Sequence, residues 1–153
     1  MTDHPSTSSE NAPLIIHGQY IKDLSFEAPN APAIFQEMQA PPGVSVQVDI
    51  DSRQVQQNTF EVMLNFHIKG TVQDKVAFII ELAYAAVASL NVPQEHIQPL
   101  VMIELPRLLF PFARSIIADV SRDSGFPPLM IAPIDFVALY RQKLAEQPQQ
   151  ATT

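Results

Sequence analysis

The sequence predicts an α+β fold built on a four-stranded antiparallel sheet. Four stretches before Asn91 alternate between apolar and polar side chains, which is the pattern of a strand with one buried and one exposed face. Short links join these stretches, as expected for antiparallel neighbours with one packed face. Beyond Asn91 the apolar spacing becomes helical. Strands followed by helices are typical of the α+β class.

The first strand is predicted from Leu14 to Glu27. Its alternate positions form an apolar set and a polar set, with Ile15 and Ile21 as exceptions. The apolar set is Leu14, Ile16, Tyr20, Leu24 and Phe26, and the polar set is His17, Gln19, Asp23, Ser25 and Glu27. Pro29 and Pro32 end the strand, because proline cannot donate a ladder hydrogen bond.

Three further strands follow the same rule. Residues 44–51 and 59–69 alternate cleanly, and 70–74 reads as a short turn into a fourth strand over 76–84. The second face of that fourth strand is less polar, which indicates partial cover.

The helical region is interrupted by prolines. We expect a short helix, a break near Pro106 and a longer helix to about Arg122, with Gly125 as its stop. A proline-rich apolar linker, FPPLMIAP, leads to a last helix from about Asp135 to Glu146.

Part of this region is apolar on nearly every side of the helix. The residues are Leu100, Val101, Met102, Ile103, Leu105, Leu108, Leu109, Phe110 and Phe112. Such a helix is buried on more than one side. Either a subunit interface or a fully buried core position explains it, and the pattern favours neither. The apolar FPPLMIAP linker indicates a binding site.

Length and charge narrow the function. A chain of 153 residues corresponds to one domain, which we place at 13–147 between disordered tails at 1–12 and 148–153. The net charge of −7 and pI near 4.9 argue against a nucleic-acid partner and an anionic membrane surface. The longest apolar run contains Glu81 and is too short to span a bilayer.

Residues that carry catalysis are missing from the sequence. The chain has no cysteine and few glycines, and it contains no phosphate-binding loop, dinucleotide fingerprint or paired-histidine metal motif. We therefore expect no enzyme activity, no cofactor and no metal. A small enzyme or ligand-binding domain remains a default alternative.

Two pairs of acids share a strand face, Asp23 with Glu27 and Asp49 with Asp51. Positions four apart in a strand lie roughly 13 Å apart, too far for a cooperating acid and base. The pattern indicates a solvated face, with a docking surface as the alternative.

Four segments together resemble one family. In order they are YIKDLSFEAPNAP, VAFIIELAY, LLFPFARSIIADVSRDSGFPPLMIAPIDF and LYRQKLAEQ, and they resemble the bacterial protein-export chaperone SecB over about Ile16 to Gln147. The resemblance implies an α+β fold with helices packed on one face of the sheet and a homotetramer, a dimer of dimers. It implies a cytoplasmic, ATP-independent chaperone that binds unfolded precursor proteins and delivers them to the motor ATPase SecA.

The resemblance also implies two sets of site residues. Asp23, Glu27, Ile79 and Glu81 match the family's SecA-docking positions. Any zinc there belongs to the basic tail of SecA and not to this chain. A looser match assigns an apolar client groove to Phe35, Met38, Phe126, Leu129, Ile131, Phe136 and Tyr140. An alternative within the fold is a SecB-like chaperone that serves a toxin–antitoxin pair.

Overall fold

The structure is a computed structural model that describes residues 12–146. The predicted tails fall, apart from Ala12, outside this range. The elements in chain order are β1 (Leu14–Glu27), α1 (Ala33–Glu37), β2 (Gly43–Gln56), β3 (Thr59–Val72), β4 (Lys75–Leu90), α2 (Gln94–Pro99), a π-helical turn (Leu100–Glu104), α3 (Leu105–Asp123) and α4 (Phe136–Glu146).

The four strands form one antiparallel sheet in the order β1-β4-β3-β2. One face of this sheet packs against the helices and is called the helix face. The opposite face is called the outer face. α3 contacts β3 and β4, and the π-helical turn contacts β2 and β3. The predicted α+β class and its four-stranded sheet are therefore confirmed.

The core lies on the helix face. Val62, Leu64, Phe66 and Ile68 of β3 are at most 3% exposed, and they pair directly with Ala86, Tyr84, Leu82 and Ile80 of β4. Leu105, Leu109, Ala113 and Ile117 of α3 close this core from the other side. The four-residue spacing of the α3 set explains the contact, because residues four apart lie on one face of a helix.

Three strands are longer than the sequence pattern predicts. β2 continues to Gln56, β3 to Val72 and β4 to Leu90. Ala85 and Ala86 of β4 are both fully buried, so the alternation that marks a half-exposed strand is lost there. The predicted turn at 70–74 narrows to Gln73 and Asp74, which have φ of 49° and 66°.

Gly70 belongs to β3 and not to the turn. It pairs directly with Phe78 of β4. A Cβ built at Gly70 lies 2.6 Å from the Phe78 ring. Glycine is thus required at this position because the ring occupies the space of a side chain.

The predicted break near Pro106 is wrong. The chain is helical without interruption from Gln94 to Asp123. Pro106 lies at the start of α3, directly after the π-helical turn, where the i→i−4 bonding pattern has already been replaced by a wider one. The missing N–H of Pro106 therefore does not break an established α-helical ladder.

The predicted face assignment in the middle of β1 is also wrong. The register shifts by one residue between Ile16 and Gly18 and again between Ile21 and Asp23. Because each extra residue reverses which face the next one occupies, Tyr20 lies on the outer face, and Gln19 and Ile21 lie on the helix face. Asp23, Ser25 and Glu27 lie on the outer face, as predicted.

Candidate docking face and apolar groove

The four residues expected to dock a partner share the outer face. Glu27 pairs directly with Ile79, and Ser25 pairs with Glu81. Asp23 is opposite Ala83, two residues further along β4. Asp23, Glu27 and Glu81 are exposed and Ile79 is half-buried. β1 and β4 together therefore present three carboxylates around one apolar side chain.

These carboxylates have few intramolecular partners. His67 of β3 lies beside Glu81, with Nδ1 3.2 Å from Oε1. Within residues 12–146, no ion pair involves Asp23 or Glu27. Two of the three acids thus keep their charge available to another molecule.

The structure brings the acids of β2 to the same face. An open depression of about 720 Å³ extends across the sheet from Asp23 and Glu81 to Asp49, with Asn65 and Ala83 among its lining. Asp51 accepts a hydrogen bond from Asn65 Nδ2 at 2.9 Å. The sequence analysis could not join these two acid pairs, because the pattern within one strand does not show that both strands turn their acids to one surface.

Next to this depression lies a buried carboxylate that the sequence did not single out. Glu61 of β3 is only 6% exposed. Its carboxylate accepts hydrogen bonds from Lys22 Nζ at 2.8 Å and Arg53 Nε at 2.9 Å, and also from the Tyr20 hydroxyl. Lys22 and Tyr20 reach Glu61 across β4, where Tyr20 pairs directly with Ala85 and Glu61 with Val87.

These partners determine the protonation of the cluster. The hydrogen bond from Lys22, followed by that from Tyr20, lowers the pKa of Glu61 from 4.5 to about 2 against the opposing effect of burial. Burial and the Glu61 carboxylate raise the pKa of Tyr20 to about 12. Glu61 is therefore an anion and Tyr20 a neutral donor across the ordinary range of pH.

On the helix face, aromatic rings fill the space between β1, β4 and the segment after α3. The Phe126 ring lies 5.0 Å from the rings of Phe35 and Phe78, and 6.2 Å from that of Phe26. Two of the residues expected in the client groove, Phe35 and Phe126, are thus in contact. Phe126 is 4% exposed, whereas Phe35 is 36% exposed, so only Phe35 offers its ring to solvent.

An apolar depression, called here the valine groove, lies on the same face of the sheet, between β2 and the segment 129–134. It has a volume of about 350 Å³ and is lined by Val44, Val46, Val48, Leu129, Met130, Ile131, Ala132 and Ile134. The β2 valines are lining residues that the sequence reasoning missed, whereas Met130 belongs to the FPPLMIAP linker that the sequence analysis singled out. The alternation of Val44, Val46 and Val48 was the available signal, and it was read only as the buried face of a strand.

The remaining expected groove residues lie apart from the valine groove. Phe136 of α4 is 2% exposed and packs against Phe110, with ring centroids 6.0 Å apart. Tyr140 lines a separate depression with Met102. Met38 is half-buried against the core. Six of the seven expected residues therefore divide in pairs among the aromatic cluster, the valine groove and α4, and Met38 packs separately against the core.

A buried serine holds the wall of the valine groove. Ser121 of α3 is fully buried. Its hydroxyl donates to the Ile117 carbonyl at 2.9 Å and accepts from the Leu129 N–H at 2.9 Å. Gly125, with φ of +93°, ends α3 just before this segment. These contacts order a stretch that has neither helix nor strand.

Metal and membrane features can be stated for the described part of the chain. Among residues 12–146, no three His, Asp or Glu side chains are grouped so as to hold a metal ion. None of the helices in this range is both long enough and apolar enough to cross a membrane.

Comparison with known proteins identifies the family. A family model described as preprotein translocase subunit SecB matches residues 7–147. The chain belongs to the SecB family. Protein-export protein SecB of Rhodospirillum rubrum is 55% identical, over 99% of this chain and 95% of that protein. Protein-export protein SecB of Paramagnetospirillum magneticum is 50% identical, over 95% of each chain. Nitrobacter hamburgensis has a SecB that is 52% identical, over 96% of this chain and 95% of its own.

A solved structure supports the fold of this SecB. The SecB-like chaperone of Mycobacterium tuberculosis, in complex with a peptide from an antitoxin, matches with a TM-score of 0.67 over 80% of this chain and 91% of its own. At 13% identity, that similarity concerns the fold alone. The family model and the relatives show that the chain is a SecB chaperone of protein export. SecB is a family of chaperones and not of enzymes. The alternative role with a toxin–antitoxin pair is not favoured.

Proposed function

We propose that this SecB binds unfolded precursor proteins in the cytoplasm through its helix-face apolar groove and delivers them to SecA through the acids of its outer face. The observation that carries the proposal is the placement of the two surfaces. The valine groove and Phe35 lie on the helix side of the sheet, and Asp23, Glu27 and Glu81 lie on the outer side. A client and SecA therefore have separate places to bind.

The chemistry of the groove suits clients of many sequences. Its exposed members are Val44, Val46 and Met130, the last 67% exposed. Apolar burial is non-directional, so it demands no fixed client sequence. Methionine adds flexible contacts that adapt to different partners. Binding of this kind needs no nucleotide.

The chemistry of the outer face suits a basic partner. Asp23 and Glu27 have no intramolecular ion pair in the described range, and Ile79 offers an apolar contact between Glu27 and Lys69. Carboxylates with complementary charge opposite them favour association chiefly through encounter rate and specificity. The basic tail of SecA has the complementary charge.

We further propose that the chain forms a homotetramer, a dimer of dimers. Leu108 and Phe112 of α3 remain 46% and 51% exposed, although other apolar residues of the same helix are buried in the core. Large apolar side chains left open on a helix are typical of an interface between subunits. Light scattering should give a mass near four chains, and a monomer at micromolar concentration would contradict this assembly.

Aggregation of a chemically unfolded, slow-folding precursor tests client binding. Without nucleotide, the parent protein should suppress the light scattering of the precursor at equal stoichiometry. Val46→Asp should abolish most of that suppression. Val55→Asp is a matched control, because Val46 and Val55 are β2 valines that are 39% and 40% exposed, and only Val46 lines the groove. Equal loss in both variants would contradict the groove assignment.

Affinity for purified SecA tests the outer face. Asp23→Lys combined with Glu27→Lys should weaken SecA binding by roughly tenfold or more at low salt, and client binding should stay unchanged. The control is Glu95→Lys combined with Glu104→Lys, which changes the net charge equally at exposed helical positions. Equal SecA affinity for the parent and the outer-face variant would overturn the docking role.

A further inference from the structure

The register of β1 places a cation beside a proposed docking acid. Ile21 pairs with Tyr84 and Asp23 pairs with Ala83, so Lys22 is the extra residue of the shift. Lys22 nevertheless reaches Glu61 on the outer face, and Asp23 is on the same face. Two neighbouring residues of opposite charge thus lie on one side of the strand, where a regular strand would separate them.

Lys22 and Asp23 do not pair. Within the described range, the ion pair of Lys22 is with Glu61, at 2.8 Å. The second cation in contact with Glu61 is Arg53, two residues from Asp51 and therefore on the same face of β2. Asp51, however, already pairs with Lys143 of α4 at 3.8 Å and accepts a hydrogen bond from Asn65, so Asp23 is the acid whose freedom depends on Glu61.

The burial and hydrogen bonding of Glu61 stabilise its contact with Lys22. Its side chain is almost wholly buried, and its two oxygens are shared among Lys22, Arg53 and Tyr20. No buried side-chain nitrogen or oxygen in residues 12–146 lacks a hydrogen-bond partner. Charge-assisted hydrogen bonds to a buried carboxylate are stronger than a contact between exposed ions. Lys22 therefore stays with Glu61 in preference to the exposed Asp23.

We propose that Glu61 is a positioning residue for docking: it holds Lys22 and so keeps the neighbouring Asp23 free for a basic partner. The inference rests on the proposed SecA docking. Without the Glu61 charge, Lys22 turns to Asp23 and competes there with the basic groups of the partner. The outer face also becomes one unit less negative.

The test compares SecA affinity among four full-length proteins: the parent, Glu61→Gln, Lys22→Met and the Lys22→Met/Glu61→Gln double variant. Glu61→Gln should weaken binding roughly fivefold at low ionic strength, and the loss should shrink in high salt because the effect is between exposed charges. The double variant should recover most of the affinity, because the released cation is gone. Lys22→Met alone should bind as well as the parent or somewhat better.

Recovery in the double variant separates positioning from a merely structural role. If Glu61→Gln binds SecA as the parent does, or if the double variant stays as weak as Glu61→Gln, the inference is overturned. Where Glu61→Gln fails to fold by circular dichroism, Lys22→Met decides alone, and weaker binding by that variant overturns the inference. Failure of the docking function is distinguishable, since the variant with Asp23→Lys and Glu27→Lys would then bind SecA normally.

Discussion

The outer face and the helix-face groove of this SecB are built from the same four strands but depend on different physics. The outer face carries exposed carboxylates with few partners, organised around one buried ionic cluster at Glu61. The groove is continuous with the core, since Phe126 and Ile131 are buried while their neighbours Phe35 and Met130 are exposed. Docking charges can therefore change with little effect on folding, whereas groove residues contribute to both folding and binding.

The largest expected effect is on the groove side. Phe78→Ala removes a 2%-exposed ring that packs against Phe26 and Phe126. We expect a loss of about 3–5 kcal/mol in the free energy of unfolding, because a large cavity opens beneath the aromatic rings of Phe26 and Phe126. Urea denaturation measures it, and client affinity should fall with it. A loss below about 1 kcal/mol would show that these aromatic rings are not continuous with the core.

Glu61→Gln should have the next largest effect and should depend on pH. The folded pKa of Glu61 lies near 2, below its ordinary 4.5, so its contribution to stability is present above pH 4.5 and is lost as the pH falls toward 2. The shift corresponds to about 3 kcal/mol.

Denaturation of both proteins from pH 7 to pH 2 measures this. Their difference in unfolding free energy should be constant near neutral pH and should shrink between pH 4.5 and 2. Glu95→Gln, at an exposed position of α2, is the control and should stay near the parent throughout. A difference that does not change with pH would contradict the ionic account of the cluster.

Ser121→Ala tests the wall of the valine groove. The Leu129 N–H loses its acceptor, and we expect a cost of about 1–2 kcal/mol. Hydrogen exchange at the Leu129 amide should quicken, and client affinity should fall while SecA affinity does not. Ser115→Ala, on the exposed side of the same helix, is the matched control. An unchanged rate of hydrogen exchange at Leu129 would contradict the role of the Ser121 hydroxyl in holding this segment.

The smallest expected effect is at the docking acids. Asp23→Asn combined with Glu27→Gln should change the free energy of unfolding by less than about 0.5 kcal/mol, because both side chains are exposed and have no ion pair in the described range. Thermal melting checks this. A fall of several degrees in the melting temperature would mean that the outer-face acids also contribute to folding.

Periodicity predicted most of the sheet, because the alternation of 59–69 needs only the neighbours along one strand. It placed Asp23 and Glu27 on the outer face for the same reason. Periodicity failed for Tyr20, because two one-residue shifts of register leave no mark in the pattern yet reverse the face of the residues between them. It failed at Pro106 because the apolar spacing does not reveal the π-helical turn that directly precedes α3 and its proline.

The sequence by itself determined the class of fold, the two-sided character of the strands and the excess of negative charge. These depend on composition and on neighbours along the chain. Only the tertiary structure decided that Glu61 is buried among Lys22, Tyr20 and Arg53, since its partners on β1 are 39 and 41 residues away in the chain. It also decided that Asp23 and Asp49 face one depression. The reason is that strand pairing sets which side chains meet across the sheet, and a pattern along one strand does not contain it.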